Sequence, residues 1–464
     1  MERSREDILS LINDIEQKYD LVDWQIHGMN VWPIIRISIF NELTAKKVTG
    51  TRSKTVSSNK FSIFINGVKE LFLVRKQIKN AKTLFFASQA HRQSVNGLNY
   101  NRFADPMMDK ITGSEKETQL LFETAKQNEY TENNYKGTRL VRLSAILELL
   151  QLVSTIKDKF YPSKKADVKA ILSEIAELPE QSIKKLSKKV NKLVKLIPFY
   201  QVFCQKLLHQ YKGEKLYFVC YYGLFNMVMI NEAKKRDIVT VDIQHGVISE
   251  KHIAYGFKKI PEKGYNSLPN EFWTWTNYEA DCINSWAKNY KQHEGITKGN
   301  PWIDAIKNNE IDFGDLADQV NKEEKPIILY TLSNRDDIFP KFLIEAIKDL
   351  SNHYAFWFRL HPRQLNFKSQ IEDELKSLGI FHLVELERAS YLPLPLILKY
   401  TSLHLTQFST AVLEAAYFEV PSLLFHSLGK TYFEDNPLKS YFYFYESETD
   451  SFEKFVLDIM KNND

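Results

Sequence analysis

The chain has 464 residues, 44% of them hydrophobic, and a formal net charge of +4. This length exceeds what one ordinary core needs, so two or three domains are expected. The small net charge gives no argument for a nucleic-acid partner, and no segment approaches the roughly 18 apolar residues that span a bilayer. The first twenty residues are charged from the second position on, which favours a cytoplasmic protein.

The N-terminal part of the chain is predicted to be mainly helical. Residues 1 to about 80 read as helices, and the first convincing buried strand is the apolar run "AKTLFFASQ". A polar stretch, "HRQSVNGLNYNRFADP", follows that strand directly. From Lys110 to Tyr211 we predict mostly helices, which would form an elaboration of the first domain.

One of these predicted helices is strongly basic. The segment 182–197, "SIKKLSKKVNKLVKLI", carries six lysines, no acid, and apolar residues at a helical spacing. It is interpreted either as a packing helix with a solvated outer face or as a helix that docks on an anionic membrane surface. The second interpretation predicts a peripheral protein at the inner face of the cell membrane.

Strands and helices alternate in the remainder of the chain, which predicts parallel strands joined by crossover helices. The strands of a first set are "KLYFVCYY", "DIVTVDIQHG" and "EFWTWTN". Those of a second set are "PIILYTLSN", "YAFWFRLHP", "FHLVEL", "LHLTQFS" and "VPSLLF". We therefore predict an α/β protein with two Rossmann-like domains, residues 1–309 and 310–464, the first containing the helical region 110–211. A ligand cleft is expected between the two domains.

Polar residues follow three strands of the second set. Ser333 comes after the first strand and Arg359 and His361 after the next; the segment after "LHLT" supplies Gln407, Ser409, Thr410 and Glu414. Cationic side chains, hydroxyls and backbone N–H groups can bind phosphate, and a carboxylate can accept from ribose hydroxyls. These residues are predicted to bind a nucleotide; the alternative for Ser409 and Thr410 is an ordinary helix cap.

Four short motifs resemble known families. "RLHP" followed by "FSTAVLEAAYFEVPSLLF" resembles the His-Pro and Ser-Thr motifs of bacterial sialyl- and Kdo-transferases, which are GT-B glycosyltransferases of capsule and lipopolysaccharide biosynthesis. "TKGNPWIDAI" is similar to a stretch of UDP-N-acetylglucosamine 2-epimerase, and "DIQHGVI" resembles the "HG" loop of CDP-glycerol glycerophosphotransferases. The resemblance covers roughly residues 215 to 430. It implies that His361, Ser409 and Thr410 contact the donor's phosphate and nucleotide, and that Glu414 holds its ribose.

The catalytic candidates are predicted in the first domain. Hydroxyl attack on an anomeric carbon needs a group that accepts the proton of the attacking hydroxyl. His245, which matches the histidine of the "HG" loop, is ranked first, with Asp105 and His91 behind it. The competing interpretations are a turn histidine bonded to backbone for His245 and a turn-forming acid for Asp105.

The resulting hypothesis is a metal-independent glycosyltransferase that needs no cofactor beyond its nucleotide-sugar donor. Its acceptor would be a saccharide or a lipid-linked saccharide of a bacterial surface polysaccharide, and no nucleic acid would bind. "NRDD", Asn334 to Asp337, is interpreted as a helix-leading cap rather than a magnesium site. Three alternatives stay open: a CDP-glycerol-type polyol-phosphate transferase, a nucleotide-sugar epimerase, and a non-catalytic partner in polysaccharide assembly.

Overall fold

A computed structural model describes residues 5–44, 59–112, 119–125, 139–160, 168–175, 177–288, 292–333, 337–446 and 451–462. The chain forms two compact units. The first comprises residues 1–92 and 98–301, and the second comprises 93–97 and 302–464. The sequence placed its domain boundary at 309/310. Residues 334–336 of the "NRDD" segment and parts of region 110–211 lie outside the described residues.

The first unit is built on a parallel sheet of seven strands. In chain order these strands are β3 (Thr83–Ser88), β6 (Gln119–Thr124), β7 (Leu140–Arg142), β8 (Lys215–Val219), β9 (Val239–Ile243), β10 (Glu271–Thr274) and β11 (Glu294–Thr297). Two further strand pairs are β1 (Gln25–Ile26) with β2 (Met29–Asn30), which lies in the first unit, and β4 (Arg92–Val95) with β5 (Leu98–Asn101), a hairpin whose residues 93–97 belong to the second unit. The turn between β4 and β5 is Asn96-Gly97, and both residues have positive φ, 47° and 74°. Such φ values are typical of two-residue hairpin turns with this sequence.

Ten helices of the first unit fall within the described residues. They are α1 (Arg5–Lys18), α2 (Trp32–Thr44), α3 (Lys60–Gln77), α4 (Ala104–Thr112), α5 (Leu143–Phe160), α6 (Val168–Glu174), α7 (Glu180–Val194), α8 (Ile197–Gln210), α9 (Leu224–Lys234) and α10 (Asn277–Ala287). Region 110–211 was predicted to be mostly helical, and this was incomplete because β6 and β7 lie in it. β6, "QLLFET", is buried at its first five positions but has a run of only three apolar residues, and such a short run does not distinguish a strand from a buried helical segment.

The second unit is built on a parallel sheet of six strands. They are β12 (Ile327–Thr331), β13 (Ala355–Arg359), β14 (Val384–Glu385), β15 (Thr401–Thr406), β16 (Ser422–Leu424) and β17 (Phe442–Phe444). Its helices are α11 (Pro301–Lys307), α12 (Asp315–Asn321), α13 (Lys341–Leu350), α14 (Lys368–Ser377), α15 (Glu387–Tyr391), α16 (Leu394–Leu398), α17 (Ala411–Tyr417), α18 (Ser427–Phe433) and α19 (Phe452–Asn462). The sequence predicted five of these strands and missed β17.

The central strands of both sheets are buried on both faces, as is typical of parallel sheets. In β3, Leu84 and Phe86 belong to one hydrophobic cluster and Phe85 and Ala87 to another, so successive side chains enter opposite layers. β12 is buried at all five positions. The prediction of an α/β protein with two Rossmann-like domains is therefore confirmed.

The strand order positions the candidate sites. In the first unit it is β7-β6-β3-β8-β9-β10-β11, and in the second β14-β13-β12-β15-β16-β17. Each chain path starts at a central strand, moves outward on one side, and then returns to the other side of its first strand. The order reverses between β3 and β8 and between β12 and β15. Open parallel sheets bind ligands outside the carboxyl ends of the strands at such a switch point.

The basic segment 182–197 corresponds largely to α7. Its apolar residues Ile183, Leu186, Val190 and Val194 are buried in the core of the first unit. The structure therefore favours a packing helix with a solvated basic face. Among the described residues, no helix is both long and apolar enough to cross a membrane.

Candidate functional site

In the first unit, a cluster of aromatic and histidine side chains lies beyond the carboxyl ends of the central strands. His91 follows β3, Tyr222 follows β8, and His245 follows β9. The imidazole rings of His91 and His245 have centroids 5.6 Å apart. The Tyr222 hydroxyl lies 3.0 Å from Nε2 of His245. The topology thus brings together two of the three catalytic candidates at the switch point between β3 and β8.

Aromatic rings surround these two histidines. The Phe103 ring meets His91 edge-on at 5.1 Å and His245 at 6.3 Å, and Trp275 stacks on Phe103 at 6.4 Å. Apolar rings exclude water from part of the imidazole surface. Solvent exclusion of this kind disfavours a charged imidazolium.

The pKa values of the cluster show this effect. Burial, followed by electrostatic repulsion from His252, lowers the pKa of His245 to about 4. Burial lowers the pKa of His91 to about 3, with the charges of His245 and Arg102 adding to it. Both rings are therefore neutral at pH 7 and carry a lone pair that can accept a proton. Nδ1 of His91 is buried and has no hydrogen-bond partner within the described part of the chain.

A buried network holds the loop that carries Tyr222. Asp242 accepts a hydrogen bond from the Tyr255 hydroxyl at 2.9 Å and another from the backbone N–H of Tyr221 at 2.9 Å. Cys220, at the start of the loop, has a φ of 77°, a value that is uncommon for a residue with a side chain. Such conformations persist where surrounding contacts impose them. Two hydrogen bonds to one buried carboxyl group are contacts of that kind.

Asp105 occupies a structural position in the first turn of α4. Its Oδ2 accepts a hydrogen bond from the backbone N–H of Asn101 at 2.6 Å, while the Asn101 side chain accepts from the N–H of Ala104. Burial raises the pKa of Asp105 to about 7. Its placement matches the competing interpretation of an acid that forms a turn, and a catalytic role for it stays a prediction.

In the second unit, two buried oxygens lie at the switch point between β12 and β15. Thr331 and Thr406 are paired at the ends of these strands, and Ser333 and Gln407 follow them. Ser333 and Gln407 are each only 4% exposed. Ser333 Oγ and Gln407 Oε1 have no hydrogen-bond partner within the described residues, whereas Gln407 Nε2 donates to the Asp337 carbonyl at 2.5 Å. Buried polar atoms are usually paired, so two orphan oxygens on adjacent loops indicate a ligand-binding position.

His361 follows the neighbouring strand β13 in a loop fixed by Gln364. The Gln364 side chain accepts from the His361 N–H at 2.9 Å and donates to the Ser333 carbonyl at 3.2 Å. Nδ1 of His361 accepts from the N–H of Arg363 at 3.2 Å. A neutral imidazole that accepts at Nδ1 carries its proton at Nε2. Burial, followed by the charge of Arg363, lowers the pKa of His361, so the ring offers a neutral N–H donor.

Arg359 is used by the fold in a way that its sequence position did not indicate. One of its terminal nitrogens donates to the carbonyls of Ala389 and Leu392, both at 2.6 Å. These bonds tie the end of β13 to the C-terminal end of α15. The guanidinium therefore stabilises the loop, and its predicted contact with phosphate would have to use its other nitrogens.

The remaining predicted nucleotide-binding residues lie around the start of α17. Ser409 Oγ accepts from the N–H of Ala411 at 3.3 Å, and the N–H of Ser409 donates to Thr406 Oγ1 at 3.1 Å. Thr410 is exposed and its side chain makes no capping hydrogen bond. Glu414 is half-buried in the first turn of this seven-residue helix. Ser409 thus has the capping role of the alternative interpretation, and binding by all three stays a prediction.

The sequence did not predict the roles of two residues, Tyr222 and Gln364, or the hairpin that follows His91. Tyr222 stands in the quoted segment "KLYFVCYY", but it was assigned to a strand that in fact ends at Val219. Gln364 lies three residues beyond His361, where only the histidine was considered. The Asn96-Gly97 dipeptide between alternating residues could have revealed the hairpin that follows His91. The described residues contain no group of three or more His, Cys, Asp or Glu able to hold a metal ion.

Comparison with known proteins gives similarity at the level of three-dimensional structure. No protein-family model matches the chain, and no curated protein matches it significantly. Among solved structures, the wall teichoic acid polymerase TagF is similar with a TM-score of 0.46 and 13% identity, covering 88% of this chain and 90% of that one. UDP-GlcNAc 2-epimerase from Neisseria meningitidis, bound to UDP-GlcNAc, is similar with a TM-score of 0.49 and 15% identity, covering 82% of this chain and 91% of that one. The UDP-GlcNAc 2-epimerase from Methanocaldococcus jannaschii is similar with a TM-score of 0.46 and 12% identity, covering 82% of this chain and 92% of that one.

The epimerase was one of the families that the sequence motifs resemble. At such identities the similarity says nothing about which donor or acceptor this chain binds. The resemblance to sialyl- and Kdo-transferases stays a prediction.

Proposed function

We propose that the protein is a glycosyltransferase that moves a sugar from a nucleotide-activated donor to a hydroxyl of a bacterial surface polysaccharide or its lipid-linked precursor. The second unit binds the nucleotide and the first supplies the base. The observation that carries the proposal is the pair of orphan oxygens, Ser333 Oγ and Gln407 Oε1, at the switch point of the second sheet.

The second-unit side chains offer the hydrogen-bond pattern that a nucleotide needs. Gln407 Oε1 is an acceptor for a ribose hydroxyl or a base amino group, and Ser333 Oγ can both donate and accept. His361 Nε2–H is a donor for a phosphate oxygen. A ligand with hydroxyl donors and phosphate acceptors satisfies all three groups, which a purely anionic or purely apolar ligand does not.

The first-unit histidines suit the proton transfer. The acceptor hydroxyl attacks the anomeric carbon, its proton passes to His245, and the bond from that carbon to the phosphate oxygen breaks with its electron pair on the nucleotide. The low pKa of His245 keeps the ring unprotonated at pH 7. The hydrogen bond between His245 and the Tyr222 hydroxyl is linked to which ring nitrogen carries the proton. If the hydroxyl donates, Nε2 is the unprotonated nitrogen; if the hydroxyl accepts, Nε2 carries the proton.

The identities of the acceptor and of the donor sugar are proposed from the sequence motifs alone. A CDP-glycerol-type polyol-phosphate transferase is the second candidate, and the loop Gln244-His245-Gly246 favours it. In that reaction the acceptor hydroxyl attacks the phosphorus of the donor's polyol phosphate, and the phosphoanhydride bond breaks with its electron pair on the departing CMP. The same histidine accepts the proton of the attacking hydroxyl.

A thermal-shift screen with CMP, CDP, UDP, GDP and ADP tests the proposal. A nucleotide that binds only the folded state raises the Tm. Stabilisation by CMP or CDP favours Kdo, sialic-acid or polyol-phosphate transfer, and stabilisation by UDP or GDP favours another sugar transferase. His361→Ala should weaken the shift. The absence of any shift would contradict nucleotide binding and favour a non-catalytic partner.

A further inference from the structure

Helix α3 is apolar on the side that faces away from the protein. Gly67, Glu70 and Val74 are buried on its inner side. Five large apolar side chains on the same helix are instead exposed: Phe61, Phe64, Ile65, Val68 and Phe72. Phe72 is 70% exposed and Phe61 is 68% exposed. Large apolar side chains grouped in this way on a protein surface mark an interaction site.

The five residues form one continuous stripe. Residues of a helix advance by roughly 100° each, so positions 61, 64, 65, 68 and 72 fall within an arc of about 100°. This arc lies opposite the buried side of α3. We name these five residues the α3 stripe.

Basic side chains flank the α3 stripe. Lys60, Lys69, Arg75 and Lys76 are exposed on the same helix, and none of them forms an ion pair with another described residue. The single acid of α3, Glu70, is buried, accepts a hydrogen bond from the N–H of Arg142 at 3.2 Å, and has a pKa raised by burial. The outer surface of α3 is therefore apolar along its centre and positive along its edges.

A groove beside the α3 stripe has the same character. It has a volume of about 670 Å³ and lies between the C-terminal half of α3 and α8. Its walls include Leu71, Val202 and Phe203, and its basic residues include Arg75 and Lys206. An apolar slot edged by cations fits an acyl chain with an anionic headgroup.

We propose that the α3 stripe and this groove form a docking surface for an anionic phospholipid bilayer. A helix with an apolar face and flanking Lys and Arg gains both apolar burial and charge attraction at such a surface. A second copy of the chain is disfavoured, because a two-fold interface places the same patch against itself and would bring these cations together. The surface differs from the basic helix α7, whose apolar residues are buried, and it does not depend on the proposed enzymatic reaction.

Vesicle co-sedimentation tests the surface with the full chain. Wild-type protein should bind vesicles of equal amounts of phosphatidylcholine and phosphatidylglycerol, and bind far less to phosphatidylcholine alone or at high salt. Phe64→Ser combined with Phe72→Ser should weaken binding by about tenfold or more, since two inserted rings are lost. Lys69→Glu combined with Arg75→Glu should weaken binding by about tenfold or more to the anionic vesicles.

Two matched controls locate the effect. Phe367→Ser changes an aromatic side chain of the second unit that is 54% exposed, and Lys184→Glu with Lys188→Glu changes two lysines of α7. Both should bind as wild type, and all variants should keep the wild-type Tm because the changed residues are exposed. The proposal is overturned if wild type does not bind, if the stripe variant binds normally, or if only the α7 variant loses binding. A dimer in sedimentation velocity that the stripe variant dissociates would also overturn it, in favour of a second copy.

Discussion

Two serines of the second unit, both buried, differ in how their hydroxyls are used. Ser333 Oγ has no partner within the described residues, whereas Ser422 Oγ lies 2.9 Å from Nδ1 of His404. A paired buried hydroxyl contributes to folding, while an unpaired one costs desolvation free energy that only a ligand can offset. Substitution of Ser333 should therefore affect ligand binding, and substitution of Ser422 should affect stability.

Ser333→Ala should leave the Tm of the ligand-free protein unchanged or slightly raised, and should weaken nucleotide binding about fivefold to tenfold through the loss of one hydrogen bond. Ser422→Ala should do the reverse: about 1 kcal/mol less stability, from its lost bond to His404, with normal nucleotide affinity. Calorimetric titration and thermal unfolding measure the two quantities. Equal nucleotide affinity in the Ser333 variant and wild type would remove this position from the site.

His245→Ala should lower turnover by about 100-fold to 10,000-fold, the range attributed to a general base, while nucleotide affinity stays near wild type. His353→Ala, at an exposed histidine in the turn after α13, is the matched control and should keep full turnover. Steady-state kinetics with the donor identified by the nucleotide screen would measure both. If the His245 variant retains activity and His91→Ala loses it, the base is His91.

At the scale of elements, the contact between α3 and α5 depends on a glycine. A Cβ placed on Gly67 would lie 2.5 Å from the Cβ of Leu149 and 2.9 Å from the carbonyl oxygen of Ala145. Neither a backbone oxygen nor a Cβ atom can move without its helix. The absence of a side chain at position 67 therefore fixes how closely the two helices approach.

Gly67→Ala should destabilise the protein by about 1 to 3 kcal/mol, despite the higher helix propensity of alanine, because overpacking forces α3 and α5 apart. Asn66→Ala, at the exposed neighbouring position, gains the propensity without the clash and should be neutral or stabilising. Urea unfolding with comparison of the midpoints measures the difference. A Gly67 variant as stable as the Asn66 variant would refute the close contact.

The elements also show where pattern reading succeeds. The strand ends that precede His361 and Gln407 were predicted to within three residues, because apolar runs bounded by polar loops are a strong signal. β6 was missed because its short apolar run has no alternation, and β14 is shorter than "FHLVEL" because Phe381–Leu383 forms a 3-10 turn. Burial on both faces removes the period on which sequence interpretation relies.

At the scale of the whole molecule, buried ionisable groups set the pH dependence of stability. The histidines whose pKa burial lowers most are five: it falls to about 3 for His91, His293 and His404, and to about 4 for His245 and His252. The acids whose pKa burial raises most are two, Asp105 to about 7 and Asp242 to about 8. The histidines and the acids change the free energy of unfolding in opposite directions as the pH rises.

The histidines bind protons in the unfolded state below about pH 6.5 but not in the folded state, so their contribution is present above that pH and lost on acidification. The acids bind protons in the folded state, so their contribution is lost as the pH rises through 7 and 8. Between pH 5 and 6 the five histidines outnumber the two acids. Each net proton is worth about 1.4 kcal/mol per pH unit.

The free energy of unfolding should therefore fall steeply below about pH 6. It should change little between about pH 7 and 8, because burial lowers the pKa of Lys234 to about 7 and this group offsets the two acids there. Urea unfolding at intervals from pH 5 to 8.5 measures the profile. Stability that is constant, or that increases below pH 6, would show that these histidines are not buried in neutral form.

The sequence by itself determined the alternation of strands and helices and the polar residues that end each strand, because both are local patterns along the chain. Tertiary structure decided what those residues do. It pairs His91 with His245, lets the Arg359 guanidinium bind carbonyls of a segment remote in sequence, and leaves Ser333 Oγ without a partner among the described residues. It also exposes the apolar stripe of α3 and buries that of α7. The partners of a side chain come from segments remote in sequence, so no local period reports them.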